Sequence, residues 1–209
     1  MQVTLIDKMG TDLTVVNAAR VSFAKEHDRM LLADEQLIQY LARHNHWSPF
    51  AHAQLSFRVK APIFVARQLG KHQVGLAWNE VSRRYVDDEP EFFEPKVWRN
   101  RAISAKQGSG DEAVEVGLVP TLALAYAIKA YNELLGRGVC PELARMVLPQ
   151  SMMTEWIWTG SLYAFARVCN LRLDTHAQAE TREIAADIAD IAAQAFPISW
   201  EALTREVTP

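Results

Sequence analysis

A chain of 209 residues, 49% hydrophobic and 22% charged, can bury one proper core and is read as a single domain over 1–209. A formal charge of -3 and a pI near 6.1 exclude wholesale binding to nucleic acid or a membrane surface, which asks for a basic excess, so any anion site has to be local. No apolar run can span a bilayer, the first ten residues carry no leader pattern, and Cys140 and Cys169 give neither a disulfide framework nor a zinc pattern; a cytoplasmic protein is expected.

In chain order, residues 2–6 alternate polar and apolar and read as a short strand, and a helix is expected through 15–20. There Ala18 and Ala19 stand beside Arg20 and Ser22; small residues next to polar ones allow a ligand or a neighbouring helix to come close, and the two readings stay equal. Residues 34–44 predict a helix, with Asp34 as its cap and Leu37, Ile38 and Leu41 on one face. It breaks into a loop holding His44, His46 and His52. Three histidines invite a metal, but their spacing is not that of a metalloprotease helix and no Cys or acid stands among them, so a ligand-lining loop is expected and no metal. Over 53–60, Leu55, Phe57 and Val59 alternate with Gln54, Ser56, Arg58 and Lys60, the pattern of a half-buried strand that Pro62 ends.

Residues 62–85 hold the densest polar chemistry. An apolar helix over 63–69 delivers Arg67, Gln68, Lys71 and His72 to its C-terminal end, and Asn79, Glu80, Ser82, Arg83 and Arg84 follow. Guanidinium groups grip phosphate bidentately and a carboxylate accepts from a sugar or base, so an anion site competes here with an ordinary solvated loop. Beyond Tyr85 an acidic, aromatic, Pro-punctuated run reads as irregular surface, and 104–110 as a flexible loop. The second half reads as helical. A helix over 121–135 carries Leu124, Ile128, Tyr131 and Leu135 at helical spacing and stops at Gly136 and Gly138. Pro141 opens another over 142–148, closed by Pro149 and presenting Arg145. A strand at 151–159, a helix at 161–171 offering Arg167 and Arg172, and a long amphipathic helix over 176–196 complete the chain. The fold expected is α/β of the α+β kind, a small mixed or antiparallel sheet flanked by helices. No dinucleotide fingerprint, phosphate loop or nucleophile elbow is present, and no carboxylate pair stands out. Cys140, before a helix start, reads either as a nucleophile or as a small buried residue. The distributed arginines 20, 84, 145 and 172 remain as phosphate partners.

Six segments in one order carry a family resemblance: Ala18-Ala19-Arg20-Val21-Ser22, His46-Trp47-Ser48-Pro49-Phe50-Ala51-His52, Lys60 through Gln68, Asn79-Glu80-Val81-Ser82-Arg83-Arg84-Tyr85, Glu142 through Pro149, and Asn170 through Gln178. Together they resemble a flavin-dependent thymidylate synthase from about Val15 to His176 and on into the last helix. The resemblance implies an α/β homotetramer whose active sites are shared between subunits, with FAD as cofactor and no nucleic-acid or membrane partner. It implies methylation of dUMP at uracil C5, methylenetetrahydrofolate giving the carbon and NADPH the reducing equivalents. By the same likeness Gln68, Glu80, Ser82, Arg84 and Arg145 would hold the nucleotide, and Arg172 would reach the base as a catalytic group. His46 would stand catalytically beside flavin and folate. Ser22, Ser48, Lys71, His72, Gln73, Asn79, Glu80, Ser161, Arg167 and His176 would line the flavin.

The departures fall on the cofactor side. The family's Arg-His-Arg is Lys71-His72-Gln73 with one extra residue before Asn79, Ala51 replaces a Glu, Ser161 and Tyr163 replace an Asn and an Arg, and Arg167 stands where Asn or His is usual. One planar fork becomes a point charge and another charge is lost, so a weaker or rearranged grip on flavin is expected. Two alternatives accompany the main reading: a related flavin-dependent pyrimidine-nucleotide modification such as hydroxymethylation, and a nucleotide-binding homologue without flavin.

Overall fold

The computed structural model describes residues 1–86, 88–103 and 108–205. Its strands are β1 (Gln2–Met9), β2 (Gln54–Pro62), β3 (Leu76–Glu80), β4 (Arg99–Arg101), β5 (Ser109–Ala113) and β6 (Met153–Ser161). Its helices are α1 (Asp12–Arg20), α2 (Leu32–Arg43), α3 (Ile63–Leu69), α4 (Val119–Gly136), α5 (Pro141–Ala144), α6 (Leu162–Arg172), α7 (Ala179–Ala195) and α8 (Pro197–Thr204). An antiparallel sheet in the order β1-β2-β6-β3 is the centre, and β4 and β5 form a separate antiparallel pair.

Period-two alternation decides which face is covered. The register sets Leu55 against Gly160, Phe57 against Trp158 and Val59 against Trp156, so these side chains share one face. Residues of α1, α2, α6, α7 and α8 complete the core on that face, where Phe165 of α6 meets Phe57 and Trp158 edge-on at 5.0 and 5.2 Å. Each large side chain so buried contributes about 1.5–3 kcal/mol. The opposite face is polar: the Ser56 and Thr159 hydroxyls share a hydrogen bond of 2.7 Å, and Arg58 donates to Glu155 at 2.7 Å.

The expected α+β architecture is what forms, with several changes in detail. β1 runs on to Met9 because the pairing slips between Leu5 and Asp7, a bulge that absorbs Ile6. Asp34 is not the cap of α2; Leu31 holds that position, and Asp34 is a fully buried residue in the first turn that accepts from the Leu31 N–H at 3.1 Å. The helix expected at 142–148 shrinks to α5 followed by a 3-10 turn over Arg145–Val147. Of the loop expected at 104–110, residues 104–107 lie outside the described residues and Ser109 already belongs to β5. The last helix begins at Ala179, and after a break at Phe196 Pro197 starts α8, whose Ile198 and Ser199 N–H groups donate to the buried Asp12 carboxylate at 3.2 and 2.8 Å. This ties the last helix to the start of the first.

β3 was not legible in the sequence. It forms because Trp78 stacks on Trp156, with ring centroids 4.3 Å apart, and because Gly160 lets the backbone of Gly75 approach: a Cβ on Gly160 would stand 2.5 Å from the Gly75 carbonyl oxygen. Gly75 itself has φ +77, in the left-handed region. The helix α4 stands apart from the core. Among its residues only Tyr131 is buried, while Val119 and Tyr126 are each 72% exposed.

Candidate functional site

The tightest assembly of expected site residues lies where α3 and α6 end. Arg172, in the last turn of α6, donates through Nε to Nε2 of His72 at 2.9 Å and through Nη2 to the Gln68 carbonyl at 3.1 Å. A guanidinium has no acceptor to offer, so His72 Nε2 carries no proton and the ring is neutral with its hydrogen on Nδ1. Burial, then the positive charges of Arg172 and Arg167, hold the His72 pKa below the ordinary 6.5. The Gln68 side chain is fixed from α7. Its Nε2 donates to Gln178 Oε1 at 2.5 Å, and its Oε1 accepts from the Thr181 hydroxyl at 3.2 Å. Gln68, His72 and Arg172 are all half-buried.

Glu80 closes β3. Its Oε1 accepts from the Thr154 hydroxyl at 2.7 Å and its Oε2 from the Trp78 indole N–H at 3.1 Å. Both belong to the helix-covered face, since Trp78 pairs with Trp158 and Glu80 with Trp156. Asn79, one residue earlier, therefore points to the opposite face. The two neighbours thus present their side chains on opposite faces at the edge of the sheet. In the following turn the Ser82 hydroxyl accepts from Arg84 Nε at 3.1 Å, and the Arg84 guanidinium lies 5.0 Å from the Tyr85 ring. Arg145 donates to the Glu142 carbonyl at 3.3 Å. No hydrogen bond among the described residues joins these groups to the Arg172 cluster.

The residues expected beside flavin are mostly exposed. Ser22 lies in a 3-10 turn after α1, Ser48 in one after the His46 loop, and Lys71 and Gln73 flank His72. His46 is exposed, 5.9 Å edge-on from the Tyr40 ring. His176 donates through Nδ1 to Asp174 at 2.8 Å, which leaves Nε2 turned away from that carboxylate. Ser161 is the N-cap of α6, accepting from Ala164 N–H at 3.2 Å, a structural duty the sequence did not reveal. Arg167 lines a groove of about 960 Å³ between α2, α6 and α8 together with Arg43, Tyr163 and Asp174. Among the described residues no group of three or more His, Cys, Asp and Glu is placed to hold a metal ion, and no helix is long and apolar enough to cross a membrane. Cys140 is exposed and Cys169 buried, where burial pushes its thiol up to about 12.

Four supporting residues were missed: Gln178 and Thr181, which hold Gln68, and Trp78 and Thr154, which hold Glu80. Their only sequence signal was a polar or aromatic side chain near a motif. A buried cluster behind Ser22 was also hidden. Asp34 accepts from Arg20 Nε and Nη2 at 2.9 and 2.5 Å and from His27 Nδ1 at 2.8 Å, while the Asn17 amide pairs with the His27 backbone, so residues 20–31 are held as one piece.

An antiparallel sheet with helices on one face makes this an α/β domain, and the guanidinium, imidazole and amide groups gathered where two helices end offer a place for a small anionic ligand. The family described as thymidylate synthase complementing protein matches residues 4–198, and the chain belongs to that family. It is 42% identical over 207 residues to the flavin-dependent thymidylate synthase of Thermus thermophilus, covering 96% of this chain and 74% of that one. With the enzyme of the same name from Thermosipho africanus it shares 39% over 206 residues, 96% and 90% of the two chains. The solved structure of a UMP/dUMP methylase, PolB from Streptomyces cacaoi, bound with 5-Br dUMP, superposes with a TM-score of 0.85 at 32% identity, covering 97% and 94%. A second PolB structure, with 5-Br UMP, gives 0.82 at 31%.

The name of these relatives, flavin-dependent thymidylate synthase, implies a flavin. The donor set fits one: Lys71 and Arg167 are exposed cations, Ser22 and Ser48 exposed hydroxyls, and Asn79 an exposed amide, chemistry suited to a pyrophosphate and the polar edge of a ring.

Proposed function

We propose that this protein methylates dUMP at uracil C5 to give dTMP, with methylenetetrahydrofolate as carbon donor and NADPH as reductant. The observation that carries the reading is the Arg172 guanidinium, fixed by the neutral His72 ring and the Gln68 carbonyl at the meeting point of α3 and α6. In the balanced reaction the C5 hydrogen leaves as a proton, the methylene carbon bonds to C5 as its two bonds to the folate nitrogens break and tetrahydrofolate leaves with protons on those nitrogens, and one hydride completes the methyl group. FAD, when bound, supplies that hydride and is restored by NADPH, with Ser22, Ser48, Lys71, His72, Gln73, Asn79, Glu80, Ser161, Arg167 and His176 as the residues that would hold it.

The chain's own residues bind, orient and stabilise charge. Arg172 donates to a uracil carbonyl oxygen and so stabilises the negative charge that builds as C5 becomes nucleophilic. Its two protein acceptors aim the guanidinium before substrate arrives. Gln68, Ser82, Arg84 and Arg145 take the nucleotide, chiefly its phosphate, and Glu80, held by Thr154 and Trp78, accepts from the sugar. His46 would stand beside flavin and folate. An active site shared between the subunits of a homotetramer, in the cytoplasm, belongs to this reading, and the placement of Asn79 and Glu80 on opposite faces of β3 accords with a site that draws on more than one surface. The exposed apolar side chains of α4 and its entry, Leu118, Val119, Leu122 and Tyr126, supply an interface.

The likeness to PolB favours a second reading in which UMP is also methylated. The test is product mass after incubation with methylenetetrahydrofolate, NADPH and either dUMP or UMP, together with the visible spectrum of the purified protein. A yellow protein that adds a methyl group to dUMP is expected. A hydroxymethylated product would replace methylation by a related modification, and a colourless protein that binds dUMP without taking up FAD or turning over would make it a binding homologue.

A further inference from the structure

The β4-β5 pair has no part in the site described above, yet it is fastened next to it. Arg99 of β4 donates through Nε to the Ser109 hydroxyl of β5 at 2.7 Å and through Nη2 to Oε1 of Glu180 at 2.6 Å. One guanidinium therefore ties both strands to the first turn of α7. The Glu180 side chain is only 9% exposed, and its Oε2 is buried with no hydrogen-bond partner among the described residues. A carboxylate so placed depends on its countercharge, because desolvation costs several kcal/mol per ion, roughly, and is offset only by good pairing. Burial pushes the Glu180 pKa up, but the Arg99 guanidinium paired with it outweighs this and holds it below the usual range. Gln178 is the N-cap of α7, two residues before Glu180; its carbonyl accepts from the Thr181 and Arg182 N–H groups at 3.0 and 2.9 Å, and its side chain accepts from the Gln68 amide at 2.5 Å, so it moves with the turn that Glu180 anchors. The strands also lie against the turn that carries His176, since a Cβ on Gly108 would stand 3.8 Å from the His176 carbonyl oxygen.

We propose that Arg99 is a positioning residue of the nucleotide site, acting through Glu180 and Gln178 on the Gln68 side chain. The proposal rests on the reading that Gln68 binds the nucleotide. Cutting the Arg99 to Glu180 pair leaves a buried carboxylate without its cation, the first turn of α7 shifts to reach water, and the Gln178 amide that fixes Gln68 moves with it.

The experiment compares the full chain with Arg99→Gln, Glu180→Gln, the double variant, Arg99→Lys and Gln68→Ala. Binding of dUMP is measured by calorimetry, KM and kcat by dTMP formation, and Tm by thermal unfolding. Arg99→Gln and Glu180→Gln should each weaken dUMP binding and raise its KM by about tenfold, the size of one coupled pair, with kcat much less affected. The double variant should be no worse than either single one, and Arg99→Lys should recover part of the loss and guard against a variant that merely misfolds. Parental KM and Kd in Arg99→Gln, or a lower Tm without a change in KM, would overturn the proposal. If Gln68→Ala weakens dUMP while Arg99→Gln does not, this inference alone falls. If Gln68→Ala leaves dUMP binding untouched, the assignment of Gln68 falls and takes the inference with it.

Discussion

Arg172 is held by acceptors from two directions, and its removal should be felt in turnover before it is felt in stability. Arg172→Ala is expected to lower kcat for dUMP by about 10²–10³-fold, the usual cost of one preorganised donor at a developing negative charge. Arg83→Ala should stay near the parent value, because among the described residues the Arg83 side chain donates to the Asp88 carbonyl in an outer turn and to no other group. Steady-state kinetics on both variants checks this, and equal losses would show that the register of 79–85 has been misassigned. His72 gives a second handle. Its pKa is lowered by burial and by Arg172 and Arg167, so Arg172→Ala should move it back up toward 6.5, read from the ring protons by NMR. The sign for stability follows from proton counting. Between the lowered folded value and the unfolded one the unfolded chain binds more protons, so His72 costs stability as pH falls below about 6.5. At this scale Gln68, His72 and Arg172, singled out separately in the sequence, are brought together by the structure. Their supports were not legible in the sequence, because Gln178, Thr181 and Glu180 sit in a helical first turn whose polar side chains look like any solvated helix start.

At the level of elements, the strands with strict alternation and the helices with clear stops were readable, since hydrophobic period alone fixes which face is buried. The segment 71–80 was not, and β3 exists only through its partners. Gly160→Ala should press a Cβ into the Gly75 carbonyl and the Leu76 side chain, push β3 off β6, and cost about 1–3 kcal/mol, the usual range for overpacking. Denaturant unfolding measures that loss, and Trp fluorescence should change with it as the stack of Trp78 on Trp156 opens. An unchanged denaturation midpoint would mean that β3 yields at no cost. The Arg99 to Glu180 latch also belongs here, since its carboxylate is held below the usual range: the contribution is present at neutral pH, above the unfolded pKa of Glu, and is lost as pH falls through the folded value.

For the whole molecule, Asp34 joins the end of α1, the His27 loop and the start of α2 through one buried carboxylate. Burial raises its pKa, but the His27, Arg20 and Leu31 hydrogen bonds lower it further, so this support persists above the ordinary Asp range and fails only as pH drops through a lower folded value. Asp34→Asn should therefore shift acid unfolding to higher pH, followed by circular dichroism. The outward face of α4 makes the other prediction. Leu122→Asp should dissociate the proposed homotetramer without unfolding the chain, seen as a smaller mass by sedimentation, and an unchanged mass would place the interface elsewhere. By itself the sequence determined the periodic elements, a small sheet flanked by helices and the ordered set of polar segments that marks the family, because burial period and side-chain chemistry are local properties of the chain. Only the tertiary structure decided that β3 pairs with β6, that Asn79 and Glu80 face opposite ways, and that Arg99 reaches Glu180. Those follow from register and long-range ion pairing, which depend on where distant residues meet.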